Sequence, residues 1–152
     1  GMSSRLFVEV REKRGLAYTV HAGSVLYRDA GTLYVQAGLD PARFPEALAV
    51  IKTEIMRMTT EPILEQELRN AKTSMAGSLA LRLESSNFQA QWYAKEFVFA
   101  PRIETPEYMI AQLKKVTIKE VQRVAKKLFV PPAMRLAVIA ASSAAKSRAV
   151  TP

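Results

Sequence analysis

The chain has 152 residues, a size that suits one domain with its own hydrophobic core. Hydrophobic residues make up 49% of it, which excludes a disordered protein. No apolar run approaches the roughly 20 residues that a membrane span needs. The first four residues also lack the basic and apolar regions of a signal peptide. We therefore expect a soluble protein with no membrane partner, and the cellular compartment is left open.

The net charge is +8, which is compatible with nucleic acid, anionic lipid or an acidic protein as partner. The basic residues are spread along the chain, however, and 14 acidic residues are interleaved with them. No nucleic-acid-binding motif is visible. We interpret the charge as a basic, solvated surface and predict no nucleic-acid partner.

The first structural signal is a helix that ends at a glycine. Ser3 or Ser4 can cap the helix by accepting a backbone N–H bond, and apolar residues follow at helical spacing. Gly15 is the expected stop, because glycine adopts a left-handed conformation without a Cβ penalty. Arg11 should then lie at the end of the helix.

A β-hairpin is predicted next. Residues 17–27 alternate as a strand, with Tyr18 expected on the same face as Val20. Asp29-Ala30-Gly31 has turn chemistry, and residues 32–39 alternate again. Arg11 and Tyr18 are seven residues apart, so a guanidinium and a phenol can converge on a carbonyl or an anion. The alternative is a solvated Arg11 and a half-buried, packing Tyr18.

The rest of the chain predicts five helices and one last strand. The predicted helices start near Asp40, Glu65, Ser85, Thr105 and Thr117, and residues 134–141 read as a buried strand. This order indicates an α+β domain, with helices packed on one face of a mostly antiparallel sheet. We assign residues 1–141 to a single domain and 142–152 to a flexible tail.

The sequence offers few residues that could form a catalytic metal site. A catalytic zinc needs about three protein ligands, and His21 is the single histidine. Cysteine is absent, so disulfides and thiolate metal sites are excluded. His21 with Asp29 or Glu9 is a weak metal candidate, and a histidine that is exposed or hydrogen-bonded is the simpler interpretation. We predict no metal and no cofactor in this chain.

Several motifs together resemble the insulinase (pitrilysin) family of zinc metallopeptidases, which includes the mitochondrial processing peptidases. They are Ser-Ser-Arg-Leu-Phe, Arg-Glu-Lys-Arg-Gly-Leu-Ala-Tyr, Asp-Ala-Gly and Ala-Gly-Leu-Asp-Pro, in that order. The resemblance covers about residues 1–140. It implies a repeated domain of which one copy carries zinc on His-x-x-Glu-His, a motif that this chain lacks. It also implies that a strand and a helix precede Ser3, so that this domain begins truncated.

The resemblance implies a role for two residues. Arg11 and Tyr18 match an Arg and a Tyr with which a zinc-less companion domain holds the substrate backbone and stabilises the carbonyl under attack. Gly15 supplies the turn between them. The implied partners are a peptide substrate and a zinc-carrying domain or subunit of the same family, in a homo- or hetero-oligomer. The implied cofactor is zinc in that partner, so we expect this chain to be inactive alone.

A second function stays open at this point. The chain is alternatively a catalytically inactive structural or scaffold homologue of the processing peptidases. Retention of both Arg11 and Tyr18 favours the substrate-binding role.

Overall fold

The computed structural model of the protein describes residues 4–140. A π-helical turn, Phe7–Glu12, leads into the strands β1 (Ala17–Leu26) and β2 (Gly31–Leu39). The helices that follow are α1 (Phe44–Thr60), α2 (Glu65–Leu83), α3 (Ser86–Phe99), α4 (Pro106–Lys115) and α5 (Ile118–Leu128), and 3₁₀ turns lie at Pro41–Arg43 and Pro131–Ala133. The α+β class predicted from the sequence is confirmed.

The described chain divides into two compact units. One contains residues 4–61 with 123–140, and the other contains residues 62–122. The assignment of 1–141 to a single domain stays a prediction. The predicted flexible tail, 142–152, lies outside the described residues.

The hairpin is antiparallel and contains a β-bulge. Val20 pairs with Ala37, and the same register runs to Leu26 opposite Gly31. At the other end Ala17 pairs with Leu39 and Thr19 with Gly38, so Tyr18 has no partner on β2. The predicted placement of Tyr18 beside Val20 is therefore wrong. The extra residue breaks the two-residue period of the strand, and Ala17 and Val20 both become buried while Tyr18 stays exposed.

A small core holds the hairpin, the π-helical turn and α1 together. Its buried members are all apolar: Val10, Leu16, Ala17, Val20, Ala47 and Ile51. Val35, Ala37 and Leu39 pack against it from β2. Val10 and Leu16 flank Gly15 and are both fully buried. The turn that carries the predicted site is thus anchored on both sides.

The helix starts follow from local hydrogen bonds. The Oγ atoms of Ser85 and Thr105 accept from the backbone N–H three residues later, at 3.4 and 3.2 Å. Thr117 and Glu120 form the predicted capping box, in which the Thr117 N–H donates to the Glu120 carboxylate at 2.8 Å. Asp40 caps the 3₁₀ turn before α1 by accepting from the Ala42 N–H at 2.9 Å. Each predicted helix is present.

The predicted last strand is not formed. Residues 134–140 make no ladder with any described residue, and Ala141 lies outside the described range. Leu136, Val138 and Ile139 are exposed instead of buried. An apolar run becomes a strand only where its backbone groups pair with an edge, and among the described residues this run pairs with neither β1 nor β2.

None of the described helices is long and apolar enough to cross a membrane.

Candidate functional site

The turn between the π-helix and β1 is fixed by backbone hydrogen bonds. The Gly15 N–H donates to Arg11 O and the Leu16 N–H donates to Val10 O, both at 2.9 Å. These bonds resemble a Schellman closure in which each bond spans one residue more than usual. The extra residue comes from the π-helix, in which the Lys13 N–H reaches back five residues to Val8 O. Gly15 has φ +58°, which confirms its predicted role in the turn.

Tyr18 follows this turn at the bulge of β1. In a regular strand the residue two before the buried Val20 would also point into the core. The bulge turns Tyr18 outward, and 73% of its surface is exposed. Tyr18 thus reaches solvent from backbone that is anchored by a core on either side of it.

A shallow cleft lies beside the tyrosine. Its lining residues are Gly15, Leu16, Ala17, Tyr18 and Asp40. Because one oxygen of the Asp40 carboxylate accepts from the Ala42 N–H, Asp40 is held in place by the backbone. The structure therefore brings Tyr18 and Gly15 to one cleft, and Arg11 is not among the residues that line it.

Arg11 lies in the last turn of the π-helix and is exposed. Its guanidinium lies over the ring of Phe7, with Cζ 5.0 Å from the ring centroid. Among the described residues no carboxylate pairs with it, and no hydrogen bond joins it to the Tyr18 side chain. The guanidinium donors of Arg11 therefore have no acceptor among the described residues.

The two basic side chains that follow Arg11, those of Lys13 and Arg14, are both paired with an acidic side chain. Glu9 accepts from Lys13 Nζ at 2.7 Å and from an Nη of Arg14 at 2.6 Å. The bond from Lys13, and after it the bond from Arg14, lowers the pKa of Glu9 from 4.5 to about 2. Glu9 therefore pairs with Lys13 and Arg14, and no acidic side chain of the described residues pairs with Arg11.

A further arginine braces the turn from the side of α1. Arg43 donates from Nη1 to the Arg14 carbonyl at 3.1 Å, across 29 residues of sequence. Its Nε and Nη2 bind the two carboxylate oxygens of Glu46 at 3.0 Å each. The hydrogen bonds to Glu46 raise the pKa of Arg43 above its ordinary value. The Arg14–Gly15 peptide is therefore connected to the start of α1.

The described residues do not offer a zinc site. His21 lies on the outward face of the hairpin, edge-on to Tyr34 at 6.1 Å between ring centroids. Glu9, one of its two suggested partners, is engaged by Lys13 and Arg14. Residues 4–140 contain no group of three His, Cys, Asp or Glu side chains that could hold a metal ion. Zinc does not fit this part of the chain.

Two features of the site were not predicted, the π-helix and the bulge. The bulge left a trace in the sequence, because the apolar positions Leu16, Ala17 and Val20 do not follow a two-residue period. The π-helix left no comparable sign. The π-helix depends on the bonds that the Gly15 and Leu16 N–H groups donate to the Arg11 and Val10 carbonyls, and these bonds form only in the folded turn.

The comparisons with known proteins agree with this architecture. Residues 1–75 match the family described as the peptidase M16 inactive domain. An uncharacterized zinc protease of Mycobacterium bovis is 37% identical over 128 residues, covering 84% of this chain and 29% of that protein. A second, from Bacillus subtilis, is 34% identical over 128 residues, covering 84% of this chain and 31% of that protein.

A solved structure gives the same result. The crystal structure of a peptidase M16 inactive domain from Pseudomonas fluorescens is 25% identical, with a TM-score of 0.72 over 84% of this chain and 30% of that one. The chain thus spans less than a third of the length of the curated relatives it matches. The predicted family resemblance is confirmed, because residues 1–75 match the peptidase M16 inactive-domain family and the relatives of the chain include zinc proteases.

Proposed function

We propose that this chain is the substrate-binding, non-catalytic part of a zinc metallopeptidase. Arg11 and Tyr18 bind the peptide backbone of the substrate, and Tyr18 stabilises the oxyanion that forms at the carbonyl under attack. The zinc belongs to another domain or chain of the same family, because the described residues of this chain do not fit it.

The observation that carries the proposal is the bulge at Tyr18. Tyrosine bodies usually pack against apolar surface, yet here the strand departs from its register and leaves Tyr18 73% exposed beside a cleft. Bulges recur next to active sites, where they redirect one side chain. The backbone on both sides is anchored by Leu16 and Val20, so the phenol is displayed from a rigid support.

Arg11 supports the same function through charge. The Glu9 carboxylate holds Lys13 and Arg14 but not Arg11, which rests on Phe7. A guanidinium of this kind donates up to five hydrogen bonds and suits the carbonyl oxygens of an extended peptide. Arg11 and Tyr18 belong to segments joined through Gly15, and in this proposal one extended peptide contacts both.

The two side chains would contribute at different stages. Arg11 binds the ground state and fixes the position of the peptide. The Tyr18 hydroxyl donates to the carbonyl oxygen, and this bond strengthens as negative charge develops there. Arg11 therefore affects binding, whereas Tyr18 affects both binding and rate.

Binding can be measured on this chain by fluorescence anisotropy with fluorescein-labelled casein as an unfolded probe. We expect Arg11→Ala to raise the Kd about tenfold or more, since a bond to a charged donor is worth about 1.5–3 kcal/mol. Tyr18→Phe should raise it by less. Arg28→Ala and Tyr27→Phe are matched controls at the hairpin turn, where Tyr27 is 70% exposed, and should leave the Kd unchanged.

The rate can be measured in a complete zinc enzyme that contains this chain. There Tyr18→Phe should lower kcat by about 10²–10³, the usual loss for one oxyanion donor, and raise KM by much less. Wild-type binding and kinetics in both Arg11→Ala and Tyr18→Phe would contradict the proposal. That result would favour the alternative, a structural homologue in which Arg11 only packs on Phe7.

A further inference from the structure

Arg43 connects the two walls of the cleft beside Tyr18. One wall is the stretch 15–18, which leads into β1, and the other is Asp40, which follows β2. Arg43 lies three residues after Asp40, at the end of the 3₁₀ turn before α1. Its Nη1 donates to the Arg14 carbonyl at 3.1 Å, directly before the first wall. The backbone and the guanidinium of Arg43 are therefore attached to opposite walls of the cleft.

The second wall is fixed to the turn that carries Arg43. The Ala42 N–H donates to the Asp40 carboxylate at 2.9 Å, and the Arg43 N–H donates to the Asp40 carbonyl at 3.1 Å. The pairing of Ala17 with Leu39, the residue before Asp40, joins the two walls at one point. The side chain of Arg43 adds a second connection. Two connections fix a separation that a single one would leave free to vary by hinging.

The peptide unit that Arg43 contacts is held at both of its polar groups. Its carbonyl, that of Arg14, accepts from Arg43. Its N–H, that of Gly15, donates to the Arg11 carbonyl at 2.9 Å. This peptide plane cannot rotate without breaking a hydrogen bond, although glycine has access to φ values other than the +58° of Gly15. Its orientation sets the direction in which the chain enters β1 and reaches Tyr18.

Glu46 orients the guanidinium of Arg43. The Nε and Nη2 atoms donate to the two carboxylate oxygens of Glu46 at 3.0 Å each, which is a bidentate contact between planar groups. Because this contact uses one edge of the guanidinium, Nη1 is directed to the Arg14 carbonyl. The Arg43 and Glu46 side chains are 42% and 51% exposed, so their ion pair contributes little to the stability of the fold.

We propose that Arg43 is a positioning residue of this site and acts through Tyr18. It holds the two walls of the cleft at a fixed separation, and it thereby places the Tyr18 hydroxyl at the carbonyl oxygen of a bound peptide. Arg43 does not touch the peptide in this role. The role rests on the proposed function of Tyr18, and it is sensitive because a misplacement of about 1 Å can lower a rate by about 10²-fold.

The first test is kinetic and uses a complete zinc enzyme that contains this chain. Arg43→Ala should lower kcat by about 10-fold to 10²-fold and change KM by much less. In the Tyr18→Phe background the same change should lower kcat by no more than about twofold, because the hydroxyl that Arg43 positions is missing.

The matched control is Arg57→Ala. Arg57 lies in the last turn of α1 and also binds carboxylates with its guanidinium, those of Glu54 and Glu61. Because Glu54 is buried, losing Arg57 should cost more stability than losing Arg43. It should nevertheless leave kcat unchanged at temperatures where the variant is folded. Stability and positioning are thereby separated.

The second test is hydrogen exchange of the same enzyme, which does not depend on activity. Arg43→Ala should speed the exchange of the Gly15 N–H by about tenfold, because its peptide unit loses one of two hydrogen bonds, and Arg57→Ala should not. Unchanged exchange in Arg43→Ala would overturn the role.

The kinetic outcomes distinguish this role from the function on which it rests. If Tyr18→Phe lowers kcat and Arg43→Ala does not, the role of Arg43 is wrong and the proposed function stands. Equal fold-losses on Arg43→Ala with and without the Tyr18 hydroxyl would also overturn the role, because Arg43 would then act independently of Tyr18. A wild-type kcat in Tyr18→Phe would instead contradict the proposed function, and the role of Arg43 with it.

Discussion

Residues 4–61 and residues 62–122 differ in how their side chains are stabilised. The first region has a core of buried residues drawn from the π-helical turn, β1 with the residue before it, and α1, and partly buried residues of β2 pack against it. In residues 62–122 only Leu68 and Pro106 are buried, and Leu81 and Phe97 are 69% and 80% exposed. Both regions have well-defined elements, so defined secondary structure and burial are separate properties here.

The two regions obtain their elements from different sources. In 62–122 the helices α3 and α4 begin at side-chain caps, those of Ser85 and Thr105. The turn at Gly15 depends on the fully buried Val10 and Leu16. Caps contribute about 1 kcal/mol each and depend on residues three apart, whereas the core depends on residues far apart in sequence. The candidate site lies in the region that its core stabilises.

The largest difference between the regions should appear on truncating a leucine in each. Leu16→Ala leaves a cavity beside the site and should lower the free energy of unfolding by about 2–5 kcal/mol. Leu81→Ala, at a position 69% exposed in α2, should change it by no more than about 0.5 kcal/mol. Urea denaturation with a constant m-value measures both. Equal losses would show that residues 62–122 bury Leu81 in solution.

This contrast explains which features the sequence could predict. Helix starts depend on a capping residue and its neighbours, and Asp40, Ser85, Thr105 and the Thr117/Glu120 pair were all recognised from the sequence. The strand β2 was also predicted, because the alternation of residues 32–39 is regular. The positive φ of Gly15 followed from the chemistry of glycine alone.

The features that could not be predicted depend on distant residues. Tyr18 was assigned to the same face as Val20 because a strand is assumed to keep its period, and the bulge is set by the pairing of Ala17 with Leu39. Residues 134–141 were assigned to a buried strand because an apolar run does not reveal whether it will pair with the edge of a sheet. For Arg11 and Tyr18 the sequence predicted positions, and their exposure emerged from the core beneath them.

Two glycines give the next largest contrast. Gly15 has φ +58°, and no atom lies within 4 Å of the place where an alanine Cβ would sit, so Gly15→Ala tests backbone strain without a steric clash. We expect a loss of about 1–2 kcal/mol in the free energy of unfolding. Gly15→Asn, which tolerates this conformation, should lose less.

Gly77 should respond in the opposite direction. It lies inside α2, and nothing lies within 4 Å of the position that a Cβ would take. Gly77→Ala should therefore stabilise the chain by about 0.5–1 kcal/mol, because alanine loses less entropy in a helix. Thermal unfolding of the two alanine variants, side by side, measures the contrast. A loss of stability in Gly77→Ala would mean that α2 packs closely at this position.

The smallest effect should come from the ion pairs around the site. Glu9 has a lowered folded-state pKa of about 2, against 4.5 without its partners. A lowered pKa means that the carboxylate stabilises the fold above pH 4.5, and that this contribution disappears as the pH falls toward 2. The effect is small because the Lys13 and Arg14 side chains are 59% and 40% exposed.

Glu9→Gln should thus lower the melting temperature slightly at pH 7, and the difference from wild type should vanish between pH 4.5 and 2. Glu12→Gln, at an exposed position of the same π-helix with no ion pair among the described residues, is the control. A difference that persists at pH 2 would show that Glu9 acts through packing rather than charge.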